Sequence, residues 1–277
     1  MTYAVTNGET WFRVGETIRY ELRGALRPGV SAKDVFLHLA NTHGDHATMN
    51  VEYGGPGLAG LSMNARRTIS TMSAELSVEF ATFEPDQIMI DHVKARNDAP
   101  FEPVWPDTNA DYAHKRVIDL DLIEPLVALP DAVLNNTRAV GEVAGTNIDQ
   151  AFIGSCANGT LDDLAVAARV LAGRQVADGT RLVVTPATQS IYRAAMAKGF
   201  IQIIVEAGGV VTNATCGACG GGSLGLLGPG EICITASTRN FKGRMGDAAA
   251  KIYMASPATV AASALAGAIA SPLEYFT

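Results

Sequence analysis

The sequence lacks the marks of several common protein classes. Lys and Arg never cluster beyond isolated pairs such as Arg66-Arg67, and the net charge is −7. The basic stripe on which phosphate-backbone recognition depends is therefore missing, which argues against a nucleic-acid partner. Four cysteines in 277 residues are too few for a disulfide framework. The opening stretch MTYAVTNGETWFRV has no basic segment leading into an apolar one, so no signal peptide is expected in it. Long hydrophobic runs are absent too. The stretch from Ala255 to Ala270 is short, rich in Ala, Ser and Thr, and contains Pro257, so it reads as a core helix and not a membrane span. Internal repeats and low-complexity tracts are also missing. These absences point to a cytoplasmic chain with reduced thiols, either free or metal-bound.

What remains is a globular composition, 48% hydrophobic and 18% charged, long enough for one large or two ordinary domains. Ser31 reads as the N-cap of a helix carrying Val35, Phe36 and Leu39. Val51-Glu52-Tyr53 runs into the turn cluster Gly54 to Gly57. Leu61 to Leu76 reads as a helix with Met63, Ile69, Met72 and Leu76 on one side. On that spacing alone Glu75 is an ordinary exposed helix residue. Residues 97–113 are rich in Pro, Asn and Asp, which predicts a division into domains 1–100 and 116–277 joined by a linker over 101–115. Arg116 to Leu122 reads as a strand. Beyond it, Gln150 to Ser155, Arg181 to Thr185 and Ile201 to Val205 read as strands. Between them come helices starting at Thr160 and at Ser190, the second closed by Gly199. That alternation predicts a layered α/β domain with a mostly parallel sheet.

The cysteines carry the chemistry. Cys156 follows the strand AFIGS and sits among small and polar residues. That context does not suit a cysteine used as a small buried hydrophobe. Cys216 and Cys219 form a CxxC inside TNATCGACGGGS, whose glycines would let backbone approach a bulky inorganic core. A lone CxxC leaves redox, zinc and iron–sulfur roles open. A structural zinc site wants a fourth ligand. The remaining cysteine, Cys233, lies in EICITA, a strand-like segment where a packed thiol is the better reading. The other cluster of metal-ligand types, THGDHA around His43 and His46, reads as a surface loop.

Three stretches resemble the motifs of aconitase-type dehydratases, in the family's order. IGSCANG followed by LDDL, from Ile153 to Leu164, is similar to the first cluster-ligand motif, and TCGAC, Thr215 to Cys219, to the second. STRNFKGRMG, Ser237 to Gly246, is similar to the motif that supplies substrate-binding arginines. The likeness runs from about Trp11 to Pro272 and is nearest to the two-subunit branch, which includes isopropylmalate dehydratase, homoaconitase and dimethylmalate dehydratase. It implies α/β domains around a 4Fe–4S cluster ligated by Cys156, Cys216 and Cys219. It also implies Arg239 and Arg244 as carboxylate-binding residues and Glu75 as an acid/base or hydroxyl-handling group. The activity implied is reversible dehydration of a hydroxy di- or tricarboxylate, isopropylmalate of leucine biosynthesis first among these. The partner implied is a separate small subunit that carries the catalytic serine base. The family's upstream Gly-Asp-Ser-His motif has no counterpart here, and Thr71 and Thr238 stand where relatives carry Asn. A partial large subunit with little activity on its own is therefore the expectation. A non-catalytic iron–sulfur or zinc module and an RNA-binding regulator are the competing expectations, the second opposed by the negative charge.

Overall fold

The computed structural model describes residues 2–277. A four-stranded sheet is built from β1 (Thr17–Arg23), β2 (Asn50–Gly54), β3 (Ala81–Phe83) and β4 (His114–Asp119), in the order β3-β2-β1-β4 and parallel throughout. Alternation in β1 sends Ile18, Tyr20 and Leu22 inward. They meet Val35, Phe36 and Leu39 from the Ala32–His43 helix, and Ile69 and Met72 from the Met63–Ser73 helix. Ser31 caps the first of these helices as its spacing predicts, in a reciprocal box with Asp34. The strand expected at Arg116 to Leu122 forms as β4 from His114, ending at Asp119 before a short turn over Leu120–Leu122. It pairs with β1, so the first sheet takes its fourth strand from the far end of the Pro-, Asn- and Asp-rich segment. Its inward Ile118 completes that core, a long-range pairing that local pattern cannot show.

A seven-stranded sheet follows, from β5 (Leu126–Ala128), β6 (Thr137–Ala139), β7 (Gln150–Gly154), β8 (Arg181–Thr185), β9 (Val210–Val211), β10 (Ile232–Thr235) and β11 (Lys251–Ala255). The order is β6-β5-β11-β10-β7-β8-β9, with only β5 and β6 antiparallel to their neighbours. Every residue of β7 is buried, which is why its sequence is a continuous apolar run and not an alternation. Ile201 to Val205 is not the strand its β-branched content suggests; it lies in the Phe200–Glu206 helix. Phe200, Ile203, Ile204 and Ala207 share helical spacing, and this face packs against the Leu161–Leu171 helix. The strand of this region is the two-residue β9, after the Gly208-Gly209 turn.

The chain winds β7, β8, β9 in one direction and then returns to the far side of β7 as β10 and β11. The order therefore reverses between β7 and β10, and the crevice at the carboxyl ends of strands flanking such a reversal is where α/β sheets collect ligands. The Ala-rich stretch forms the Pro257–Ala266 helix, buried along nearly its whole length and capped by Ser256. Among the described residues no helix is long and apolar enough to cross a membrane.

Candidate active site

Cys156, Cys216 and Cys219 all lie beyond the carboxyl ends of β7 and β9. β7 ends at Gly154, where a Cβ would meet Thr185 O at 2.3 Å, so only glycine fits. Ser155 then takes a left-handed conformation with φ of 64°, an unusual and strained setting for a non-glycine residue. That turn lifts Cys156 to an exposed position at the start of the short helix Ser155–Asn158. The Gly217–Gly220 turn presses on the ends of β7 and β8: a Cβ on Gly217 would meet Thr185 Oγ1 at 2.4 Å and the Phe152 ring at 3.1 Å. Cys216 is exposed and Cys219 buried on this turn.

The loop after β10 closes over Cys219. Thr238 Oγ1 lies 3.7 Å from its sulfur, and Arg244 Nη2 donates to it at 3.8 Å. Burial works to raise the Cys219 thiol, but hydrogen bonds from Thr238 and from Arg244 hold it below its ordinary value. Five buried side-chain polar atoms lack a partner among the described residues. Three of them belong to residues near these cysteines: Ser155 Oγ and Asn158 Oδ1 on the short helix that carries Cys156, and Arg244 Nε on the side chain that touches Cys219. Unpaired buried polar atoms cost free energy, so their concentration here marks a place built to meet something else. Cys233 differs: it is fully buried within β10, and burial pushes its thiol up to about 12, a packed and inert group. No three His, Cys, Asp or Glu side chains among the described residues converge tightly enough to share a single ion.

Glu75 follows the Met63–Ser73 helix in the short turn Ala74–Leu76. Its Oε1 accepts a hydrogen bond from Arg239 Nε at 2.8 Å, so the structure brings together two residues 164 positions apart, from the two sheets' territories. Only about a fifth of the Glu75 side chain is exposed, so it is not the solvated helix residue of the spacing argument. Asn240, next in the loop, donates to Leu129 O and Ala132 O and holds the loop down. Arg244 lies over the Phe241 ring at 5.5 Å.

Two features escaped the sequence reading. Lys33 is completely buried, and its ammonium donates to Ser237 O at 2.6 Å and Ala236 O at 3.2 Å, beneath the start of the arginine loop. Burial pulls it down to about 7. Its place in the first turn of a capped helix suggests a solvated lysine, but Met72 of the Met63–Ser73 helix and the segment leaving β10 cover it. The THGDHA segment is at the surface through Thr42, Asp45 and Ala47, but His46 is turned inward and buried. Its Nδ1 donates to Gly44 O at 2.8 Å, leaving Nε2 to accept from Tyr20 Oη at 2.7 Å, while Arg116 donates to the same Tyr20 oxygen. This network supports the first sheet and takes no part in the site.

Comparison with known proteins places these features in a family setting. A family model described as the aconitase family (aconitate hydratase) matches residues 2–267. The 3-isopropylmalate dehydratase large subunit of Mycolicibacterium smegmatis is 56% identical over 262 residues, covering 95% of this chain and 62% of that protein. The protein of the same name from Clostridium kluyveri is 44% identical, covering 99% of this chain and 66% of its own length. A probable methanogen homoaconitase large subunit from Methanothermobacter thermautotrophicus is 40% identical, covering 99% of this chain and 64% of that protein. The chain thus spans a little under two thirds of the length of the curated relatives it matches.

Proposed function

The chain belongs to the aconitase family, and from that premise we propose that it forms the iron–sulfur-bearing part of a hydro-lyase large subunit. The reaction is reversible dehydration of a hydroxy dicarboxylate, 3-isopropylmalate dehydration in leucine biosynthesis before homoaconitate or dimethylmalate chemistry. The observation that carries this reading is the site around Cys219. The Cys219 thiol, contacted by Thr238 and Arg244, sits at the sheet's reversal point under the loop whose Arg239 pairs with Glu75.

Cys156, Cys216 and Cys219 would hold the cluster, and the residues present suit one. Three thiols beside glycine turns, with the fourth cysteine packed into β10, suit a four-iron core that keeps one iron free of protein ligands, whereas a structural zinc wants a fourth ligand. When bound, such a cluster supplies an iron without a protein ligand, a Lewis acid for a hydroxyl group. This chain's own residues supply the rest of what it contributes. Arg239 and Arg244 bind carboxylate through their forked N–H groups. Glu75, partly shielded and beside Arg239, receives the hydroxyl end of the substrate and handles its proton. Lys33 holds the carbonyls of Ala236 and Ser237, from which the Arg239 loop departs. The base that takes the carbon-bound proton lies on a small-subunit partner, which the relatives' designation as large subunits supports. A cytoplasmic setting and a small-molecule substrate follow from the same reading.

Anaerobic purification or reconstitution, followed by visible absorption and iron and sulfide analysis, tests the cofactor assignment. An oxygen-sensitive cluster is expected. Stoichiometric zinc without sulfide would reject it in favour of a structural zinc module.

A further inference from the structure

Arg239 stands on irregular backbone between β10 and the turn that carries Arg244. Among the described residues neither its N–H nor its C=O has a hydrogen-bond partner. Its side chain is almost half exposed and touches Glu75 through Nε alone. An exposed ion pair of that kind fixes a long side chain poorly. The place of this arginine is therefore set by whatever holds its neighbours in the chain.

Both flanks are gripped from one helix. On one side Lys33, in the first turn of the Ala32–His43 helix, donates to Ala236 O and Ser237 O. On the other, the buried Asn240 makes three bonds to the segment after β5. Its amide donates to Leu129 O at 2.6 Å and Ala132 O at 3.1 Å, and its carbonyl accepts from Asp131 N at 3.2 Å. That segment is a stiff bracket. Asp131 and Asn135 both hold left-handed backbone, with φ of 78° and 52°, a setting that persists only where surrounding contacts enforce it. The Asn136 amide supplies such contacts by reaching Leu129 O, Pro130 O and Ala132 O. The bracket is tied in turn to the end of the same helix, where Asn135 N donates to Ala40 O and Thr137 N to Asn41 Oδ1.

We infer that Asn240 is a positioning residue for Arg239, carrying the placement of the Ala32–His43 helix through the 129–136 bracket to the guanidinium. The helix grips the arginine loop from both of its ends, and Arg239 lies in the span between the two grips. Asn240 itself binds nothing further, because its amide is spent inside the fold. The inference rests on the reading of Arg239 as a carboxylate-binding residue. A forked contact needs both donors in place at once, so a loop shift of about 1 Å is enough to degrade it.

The test is nitrogen-resolved NMR of the arginine Nε–H groups in the purified chain, kept under reductant. Arg66 Nε, which donates to Leu61 O beneath the first sheet, is the internal control. The Arg239 signal is the one that Arg239→Lys removes. Asn240→Asp keeps the side-chain volume, removes both donors and sets a carboxylate oxygen against Leu129 O and Ala132 O. In that variant the Arg239 signal should shift and exchange faster with water, while the Arg66 signal stays. Malate, as the dicarboxylate probe in calorimetry, should bind about tenfold more weakly, the scale of one charge-assisted hydrogen bond lost. Asn136→Ala loosens the bracket without touching the arginine loop. It should act in the same direction and less strongly, and it carries the test if Asn240→Asp does not fold. An unchanged Arg239 signal in either folded variant would overturn the inference. A common shift of both arginine signals with a falling melting temperature would overturn it too, as a general loss of stability. Failure of the unaltered chain to bind malate would remove the carboxylate reading, and the two Nε signals would still decide the positioning.

Discussion

The two sheets treat their withdrawn arginines in opposite ways. Under the first sheet, Arg66 is almost fully buried and fully satisfied. Its guanidinium forks onto both oxygens of Asp86 and donates to Leu58 O and Leu61 O. Beyond the second sheet, Arg244 leaves Nε unpaired and spends a terminal nitrogen on a thiol. The cysteines repeat the contrast at shorter range, with Cys233 packed and raised while Cys219 is contacted by donors and lowered. Satisfied polar groups fix a structure, and their partners are all within it. Unsatisfied ones persist only where another requirement outweighs their cost. Burial alone does not separate the two roles; what the buried group touches does.

Substitution of the cysteines should break this contrast most completely. Cys156→Ser, Cys216→Ser and Cys219→Ser should each abolish retention of an anaerobically assembled cluster, because an alkoxide replaces thiolate poorly on iron. Cys233→Ser should retain it and lose only stability, by about 1–3 kcal/mol for a hydroxyl placed in a packed strand. Iron and sulfide content beside thermal melts would read both. Loss of the cluster in Cys233→Ser without unfolding would assign the ligands wrongly.

The arginines should divide along the other axis. Arg66→Ala strips Asp86 and two carbonyls of their donor, and should cost about 3 kcal/mol, with a clear fall in melting temperature. Arg244→Ala should leave the melting temperature near that of the unaltered chain and weaken dicarboxylate binding. Equal destabilisation by the two would mean that Arg244 is also a structural residue.

Which parts of this were legible in the sequence follows the same division. The α/β class was plain, because helix caps at Ser31 and Thr160 and the apolar runs at β7 and β8 are local signals. That Cys156, Cys216 and Cys219 follow strand ends could be read from the small residues around them, although Cys156 and Cys219 stand in short helical turns and not in open loops. The pairing of β4 with β1 could not, since register against a distant strand leaves no local trace. Ile201 to Val205 misled because a β-branched run satisfies a strand and a helix face equally over five residues. Lys33 and His46 were invisible because their partners, Ser237 and Tyr20, lie far away in sequence. The Glu75–Arg239 pair was missed as a contact for the same reason, although each residue was singled out.

That pair gives a finer test of the site. Arg239→Lys should weaken dicarboxylate binding nearly as much as Arg239→Ala. A lysine ammonium can still meet Glu75, but it cannot present a second pair of donors to a carboxylate. Each charge-assisted bond lost is worth about 1.5–3 kcal/mol. In a complex with the small subunit, turnover should fall in both variants while cluster content stays unchanged. Wild-type kinetics in Arg239→Lys would return this arginine to the class of solvated surface residues.

The smallest expected effect sharpens the structural side of the comparison. His43 sits against the Tyr20 ring near His46, and burial together with the nearby Arg116 pulls it down to about 4. Its folded value thus lies below the ordinary histidine value of about 6.5. Between those two pH values the unfolded chain binds more protons than the folded one, so stability must fall as the solution is acidified through that window. Above pH 6.5 neither state holds the proton, and the contribution is complete. His43→Gln, which keeps a polar side chain of similar reach without the titration, should flatten the acid limb of a plot of melting temperature against pH. It should leave the neutral limb and the cluster content unmoved, because the network around Tyr20 faces the first sheet and not the cysteines. A parallel shift of the whole curve, with the acid slope preserved, would show that His43 acts by packing alone and that another group, His46 foremost, carries the acid sensitivity of this region.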